Sequence, residues 1–340
     1  MASGAGMSER PTMVDVARLA GVSLKTVSRV VNHEAGVRPE TESRVRGAVE
    51  ALGYRANDIA RNLRRGRPSA TIGLVIEDVR NPFYSAVARA VEQVARDHGY
   101  VVVIANSDED AAAERKAAAS LLERRVGGLL IVPAGRDHAY LRNEVRLGTP
   151  VVFMDRPADS IDADEVLLDN AGGARQAAEH LLARGHRRIA VVADSPDIVT
   201  IAERLSGYRR TVEAAGLTVD ETLIRTGLHD VRDAEAATVR LLALSDPPTA
   251  IFATNNRGCV GALRALHVRS EERSRAALVG FDDFELADLL QVTVVRHDPH
   301  EMGRRAADLL FARLSGDESP PQRIVLPTEL VVRASKETSP

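Results

Sequence analysis

The sequence predicts a small all-α headpiece followed by a larger bilobed α/β domain with two parallel sheets. Three features support that reading. A pair of short helical patterns folds across a glycine at Thr12–Asn32, a basic segment occupies 57–69, and two rounds of β-rich runs alternating with amphipathic helices follow from Ala70. A chain of 340 residues is also long for a single domain.

Thr12 is placed to cap the first helix, and Asp15 three residues later completes a capping-box pattern. Val16, Leu19 and Ala20 recur at helical spacing, and Gly21 ends the helix where a left-handed backbone costs least. Ser23 then caps a second helix with Val27, Val30 and Val31 facing inward, which leaves Leu24, Lys25, Ser28, Arg29 and Asn32 outside. A helix that offers a short apolar group, a cation and hydroxyls near its N-terminus suits the DNA major groove. Taken alone, the pair also fits a helical hairpin inside a larger core. Val37–Tyr54 reads as a third helix, with Pro39 in its first turn, an inward stripe of Val45, Val49 and Leu52, and Gly53 as its stop. A shorter pattern from Asn57 to Arg64 is too brief to be stable alone and runs into the linker Arg65–Ser69, so it needs a partner to form.

In the larger part, strands are expected at Thr71–Ile76, Tyr100–Ala105, Gly128–Val132 and Pro150–Met154, with helices at Phe83–His98 and Ala111–Arg124 between them. The rhythm restarts with helices at Gly172–Arg184, Ala202–Ala215 and Gly258–His267 and strands at Ile189–Ala193, Ala250–Ala253 and Ala277–Gly280. Strand-like runs recur at Arg323–Leu326 and Leu330–Val332. Buried strands alternating with amphipathic helices imply parallel sheets covered on both faces, and two passes imply two similar lobes. Ligands in such sheets bind beyond the carboxyl ends of the strands. Asp78, Asn81, Phe83, Tyr84, Asn106, Ser107, Asp155, Arg156, Asn255, Asn256, Asp282 and Asp283 occupy those places, and Arg204 sits in a helical turn. Asp, Asn and Arg match vicinal hydroxyls, and aromatic faces stack on sugars or bases. Polar residues at strand ends also cap helices, and the lobes alone would equally suit a transport protein for a sugar or nucleoside.

With those residues in place, the chain resembles the LacI/GalR family of transcriptional regulators from about Thr12 to Val332. Asp15–Asn32 matches the family's DNA-binding signature almost position for position, and Asn57–Leu63 matches its hinge helix. The resemblance implies a helix-turn-helix headpiece at 12–56, a hinge helix and linker at 57–69, and a periplasmic-binding-protein-like effector and dimerisation domain at 70–333. The flanks would be a disordered arm at 1–11 and a tail at 334–340. It assigns DNA contact to Thr12, Leu24, Lys25, Thr26, Ser28, Arg29, Asn32, Asn57, Ala60, Leu63 and Arg64. Of these, Leu24, Lys25 and Arg29 would read bases, and Leu63 would wedge into the minor groove. Effector contact falls to Phe83, Tyr84, Asp155, Thr200, Arg204, His229, Asn255 and Asp282. The implied protein is a homodimeric repressor on an inversely repeated operator in double-stranded DNA, controlled by a sugar or, failing that, a nucleoside or nucleobase. Three departures stand out: Arg38 where relatives cap the third helix with Ser or Thr, Asn255–Asn256 where they read Asn-Asp, and no proline before Gln291–Pro299.

Composition agrees. The net charge is −3, yet Met1–Pro68 holds twelve Lys/Arg against seven Asp/Glu, about +5, which leaves about −8 for the rest. Positive charge therefore gathers where helices would meet phosphates. The single cysteine, Cys259, allows no intramolecular disulfide and reads as a small core residue. With neither a signal-peptide core nor a membrane-spanning run, a cytoplasmic protein is expected. No phosphate loop, dinucleotide fingerprint or nucleophile elbow is present, so no catalysis and no cofactor are expected. His297 and His300 lack supporting ligands for a metal and read as surface or lobe-crossing residues.

Overall fold

The computed structural model describes residues 11–32, 34–54, 70–268 and 276–333. The chain divides into two compact units, Met1–Ser69 and Ala70–Pro340. The arm, the hinge pattern with Asn57, Ala60, Leu63 and Arg64, and the C-terminal tail lie outside the described residues.

The first unit contains helices α1 (Met13–Ala20), α2 (Leu24–Val31) and α3 (Pro39–Leu52). Thr12 and Asp15 form the capping box in full, and Gly21 ends α1 at φ 63°. Val16, Ala20, Val27, Val30, Val45 and Ala48 make the core, with Val31, Val49 and Leu52 packed at its margin. Leu19 differs from expectation. It is 55% exposed, because Val16 and Ala20, one turn apart, supply the buried face of α1 and Leu19 falls outside that small core. Arg38 stands at the N-cap of α3 without a side-chain cap hydrogen bond, and Pro39 follows at the first helical position.

The second unit holds two six-stranded sheets. The first contains β1 (Thr71–Ile76), β2 (Val101–Asn106), β3 (Leu129–Ile131), β4 (Val151–Asp155), β5 (Asp164–Leu168) and β11 (Arg323–Leu326) in the order β11-β5-β4-β3-β1-β2. The second contains β6 (Ile189–Val192), β7 (Ile224–Arg225), β8 (Ala250–Ala253), β9 (Ala277–Phe281), β10 (Thr293–Arg296) and β12 (Glu329–Val331) in the order β12-β10-β9-β8-β6-β7. Every pairing is parallel except β10 with β12. Position for position the two orders correspond, so β4 in one lobe is the counterpart of β9 in the other.

Helices α4 (Pro82–Asp97), α5 (Ala111–Glu123) and α6 (Arg142–Arg146) belong to the first lobe. The second has α7 (Asn170–Ala183), α8 (Val199–Ala214), α9 (Val231–Leu242) and α10 (Asn256–Val268). Helix α11 (Pro299–Leu314) returns to the first lobe and packs on α4, β4 and β5. Periodicity did not predict β5, β7, β10, α9 or α11. Two acids open β5, yet all five of its residues are buried, because the guanidinium of Arg313 on α11 binds the Asp164 carboxylate through two bonds of 2.8 Å. Among the described residues the chain passes between the sheets at Asp169, at His297–Asp298 and at Pro327–Thr328.

A close helix contact joins α7 to α8, where a Cβ on Gly207 would sit 2.4 Å from the carbonyl oxygen of Ala171. Rigid backbone on both sides cannot yield cheaply. Gly207→Ala is expected to destabilise this unit by about 1–3 kcal/mol. The measurement is a urea titration of the full chain followed by circular dichroism, and an unshifted midpoint would show that the crossing has slack.

Candidate functional site

The solvent-facing residues of α2 are set by capping and burial. Ser23 accepts from the Thr26 amide at 3.2 Å and fixes the start of α2. With Val27 and Val30 in the core, Leu24, Lys25 and Arg29 are exposed, whereas Thr26 and Ser28 are half-buried. Asn32 donates its amide to Ser28 Oγ at 3.1 Å, so those two polar groups hold each other at the end of the helix. A cation and a 48%-exposed leucine therefore share the first turn of α2 on its solvent side.

In the second unit the carboxyl ends of both sheets converge on a cleft. Asp155 ends β4 and Asp282 follows β9, the corresponding place in the other lobe. Both are non-glycine residues in the left-handed region, at φ 66° and 71°. Such a backbone costs of order 1–3 kcal/mol and collects at functional sites. The strain turns two carboxylates into one buried space.

Arg204, on the second turn of α8, lies between them. Its guanidinium carbon is 3.6 Å from the centroid of the Phe281 ring, Nε donates to Asn170 Oδ1 at 2.9 Å, and Nη1 donates to the Thr254 carbonyl at 2.6 Å. Asp282 Oδ1 is 3.7 Å from Nη1 and 3.0 Å from His297 Nε2, while its Oδ2 accepts from the Asn256 amide at 3.2 Å. Burial works against the Asp282 charge, yet Arg204 and His297 outweigh it and hold the carboxyl below its ordinary range. Asp155 goes the other way. Burial raises it despite Arg156 and Arg204, and its near neighbours, Tyr84 Oη at 3.5 Å and Arg156 Nε at 3.6 Å, are too distant for strong bonds. Arg156 Nε and Thr254 Oγ1 are buried with no hydrogen-bond partner among the described residues. Such groups are rare unless something else meets them.

The lobes are clasped beside this space. Arg257 donates to Glu77 Oε1 at 2.9 Å and to Asp78 Oδ2 at 2.8 Å, and Asn256 Nδ2 donates to Asn81 Oδ1 at 2.8 Å. The Asn256 departure thereby has a physical reason. An aspartate here would add an anion close to Asp282, whose Oδ2 accepts from the Asn256 amide, and near Asp78, whereas the side-chain amide bridges to Asn81 without charge. Arg156 forks onto Glu109 and also reaches the Pro133 carbonyl.

Phe83, Tyr84, Asp155, Thr200, Arg204, Asn255 and Asp282 all line the space, as do Glu77, Asn81, Arg156, Asp194, Asn256 and Arg257. His229 lies apart from it in an adjoining chamber, bonded to Asp194 at 3.1 Å. His297 is at the lobe crossing but not at the surface. Its side chain is 3% exposed and its ring meets Phe83 edge-on at 5.2 Å. The strand-end rule would have found it had β10 been recognised. His300 is exposed on α11. Among the described residues no group of three or more potential metal-ligating side chains comes together, and no helix is long and apolar enough to cross a membrane.

Comparison with known proteins accords with this geometry. Residues 12–57 match the profile of bacterial regulatory proteins of the lacI family, and residues 69–334 match that of periplasmic binding proteins and the sugar binding domain of the LacI family. The chain belongs to the LacI family. It is 35% identical over 336 residues to the HTH-type transcriptional regulator CelR of Thermobifida fusca, covering 96% of this chain and 98% of CelR. Identity to the ribose operon repressor of Escherichia coli strain K12 is 32% over 328 residues, 95% of this chain and 99% of that one. A crystal structure of the lac repressor dimer bound to operator and the anti-inducer ONPF superposes with a TM-score of 0.82 at 28% identity, over 96% of this chain and 99% of that one. This LacI-family chain is accordingly a DNA-binding transcription regulator with a ligand-binding α/β domain.

One consequence concerns pH. Burial and the nearby Glu109 carboxylate push Glu77 up to about 8, against the pull of Arg257 and Arg156. Because the fold favours the protonated form, the stability tied to it is full below the ordinary value of 4.5 and is lost as pH rises through about 8. Glu77→Gln, neutral at every pH, is expected to gain on the wild type between about pH 5.5 and about pH 8.5. Urea-unfolding midpoints at both values provide the check, and parallel shifts in the two proteins would contradict it.

Proposed function

We propose that this regulator is a dimeric repressor whose hold on an inversely repeated operator is set by a sugar bound between the lobes. The observation that carries the reading is Arg204, fixed on Phe281 between Asp155 and Asp282. Carboxylate acceptors with unfilled capacity, a buried guanidinium donor and the Phe83 and Tyr84 rings match the hydroxyls and the C–H faces of a saccharide. A ligand there touches both lobes, so it changes their relative angle, which is the two-state element that allosteric control of DNA binding requires. The name of the ribose operon repressor and the cellobiose complex of the transcriptional regulator CelR associate relatives with sugars.

On this reading Leu24, Lys25 and Arg29 meet base edges, with Thr12, Thr26, Ser28 and Asn32 beside them. Asn57, Ala60, Leu63 and Arg64, outside the described residues, are assigned to minor-groove contact on the same reading. The protein works in the cytoplasm and catalyses nothing. Cys259, the only thiol, is buried with its pKa pushed up to about 12, which suits core packing rather than attack.

The test is a fluorescence-anisotropy titration of the full chain on operator DNA recovered by selection from random sequence. A sugar that raises the melting temperature is expected to change operator affinity at least tenfold. Arg204→Lys is expected to abolish that response and leave sugar-free operator affinity within about twofold, because an ammonium cannot replace a stacked, forked guanidinium. A variant that still responds would remove Arg204 from the site.

The second copy is proposed to pair along the first lobe's edge strand. Val101 and Ile104 on β2 are 65% and 42% exposed, an apolar edge that a monomer would ordinarily blunt. Ile104→Arg is expected to convert dimer to monomer in sedimentation velocity at micromolar concentration and to weaken operator binding more than tenfold. Unchanged sedimentation would place the interface elsewhere.

A further inference from the structure

Where the two lobes are clasped, buried carboxyls outnumber buried cations. The first lobe brings Glu77 and Asp78 just past β1 and Glu109 just past β2, and all three side chains are largely buried. Two guanidiniums meet them. Arg257 of the second lobe donates to Glu77 and Asp78, and Arg156 of the first forks onto Glu109 with its Nη2 also 3.8 Å from Glu77 Oε2. The one further cation bonded here among the described residues is Arg80, on Asp78 at 3.0 Å, and its side chain is 83% exposed, so water screens it. Three carboxyls against two buried arginines leave one negative charge uncovered unless a proton joins them.

The crowding is built into the backbone. The amides of Ser107 and Asp108 donate to the carbonyls of Ile76 and Glu77 at 2.8 and 2.9 Å, which pins the turn after β2 onto the end of β1. Asp108 and Glu109 then adopt φ of 50° and 61°, a left-handed pair that non-glycine residues rarely form and that gathers at functional sites. That turn sets the Glu109 carboxylate against the same Arg156 nitrogen that Glu77 approaches. The proton falls to Glu77 by elimination. Arg80 holds Asp78 below its ordinary range, and the Arg156 fork holds Glu109 down against its own burial. Glu77 has a single bond from Arg257, and burial and the Glu109 carboxylate push it up to about 8. The remaining titratable neighbours are Tyr84 and Asp155, both raised by burial, and His229, which acts on Glu109 from the second lobe.

The direction follows from what opening would remove. Parting the lobes takes Arg257 away from Glu77 and lets water reach it. Burial, which raises Glu77, outweighs Arg257, which lowers it. With both gone the carboxyl falls back toward its ordinary value of 4.5, and the form that holds its proton more tightly is the one that acid favours. We infer that clasping of the lobes takes up one proton, carried by Glu77 between Glu109, Arg156 and Arg257, so that pH sets the lobe angle alongside any ligand. The clasp is then fully favoured below about 4.5 and loses that advantage as pH rises through about 8. Its effect on DNA rests on the reading above that lobe angle governs operator affinity, and on no particular ligand.

The experiment is pulsed electron–electron double resonance on the full chain, spin-labelled at Asp97→Cys on α4 and Glu213→Cys on α8 and diluted with unlabelled chain. Both positions are exposed, and Cys259 is buried away from the label. The distance between the lobes is expected to shift between about pH 7 and about pH 9, whereas Glu77→Gln keeps the distance of the lower pH throughout. Glu109→Gln is expected to move the midpoint to lower pH, since it removes a carboxylate that drives Glu77 up, an effect that loss of packing alone would not give. A wild-type distance that ignores pH, or a Glu77→Gln chain that shifts with it, overturns the inference. Operator affinity, read by anisotropy over the same range, is expected to change at least threefold in the wild type and to stay flat in Glu77→Gln. If the distance responds while operator affinity does not, this inference stands and the control of DNA binding by lobe angle falls.

Discussion

The Arg204 guanidinium is the point on which the ligand-binding unit is organised. It stands over the ring of Phe281 of β9, donates to Asn170 at the first passage between the lobes, and donates to the Thr254 carbonyl just past β8. It also stands 3.7 Å from Asp282, whose other close partner, His297, marks the second passage. One cation thus ties a strand end, a loop and two hinge positions together. A buried charge is tolerable only with such a set of partners, and removing any of them leaves the rest under-satisfied. A ligand that bonds to Arg204 or Asp282 therefore acts on the residues through which the lobes turn.

The second organising feature is the clasp between the lobes. Arg257 binds two carboxylates of the first lobe, and beside it Asn256 exchanges an uncharged bond with Asn81. Burial and the crowding Glu109 carboxylate push Glu77 up against the pull of Arg257, while the Arg156 fork holds Glu109 down against its own burial. The clasp and the ligand space share Glu77, Asn81, Asn256 and Arg257 as walls. Closure and recognition consequently draw on the same side chains.

Much of this was legible from residue order because its causes are local. Thr12 with Asp15, Ser23, Gly21 and Gly53 set the ends of the three headpiece helices, and their spacing alone orients Lys25 and Arg29 outward. The rule that ligands sit past strand ends located Asp155, Asn255 and Asp282 wherever a strand had been recognised. It failed for His297 because no strand was recognised at Thr293–Arg296, whose run of two valines is flanked by Thr293 and Arg296. Leu19 was misjudged for a related reason: periodicity gives a face, not the width of the core beneath it. The acidic start of β5 hid a buried strand whose solubility problem is solved by Arg313, which lies 149 residues away.

The sequence by itself determined the order of the units, the helix ends, the strands long enough to show alternation, and the residue types available at the ends of most strands. These follow from backbone sterics and apolar spacing, which act over a few residues. Tertiary structure alone decided that α11 returns to the first sheet, that Asp155 and Asp282 face one another from corresponding strands, that His297 is interior, and that His229 belongs to an outer chamber. Each of those depends on charge neutralisation or packing between segments far apart in the chain, and no local pattern records it.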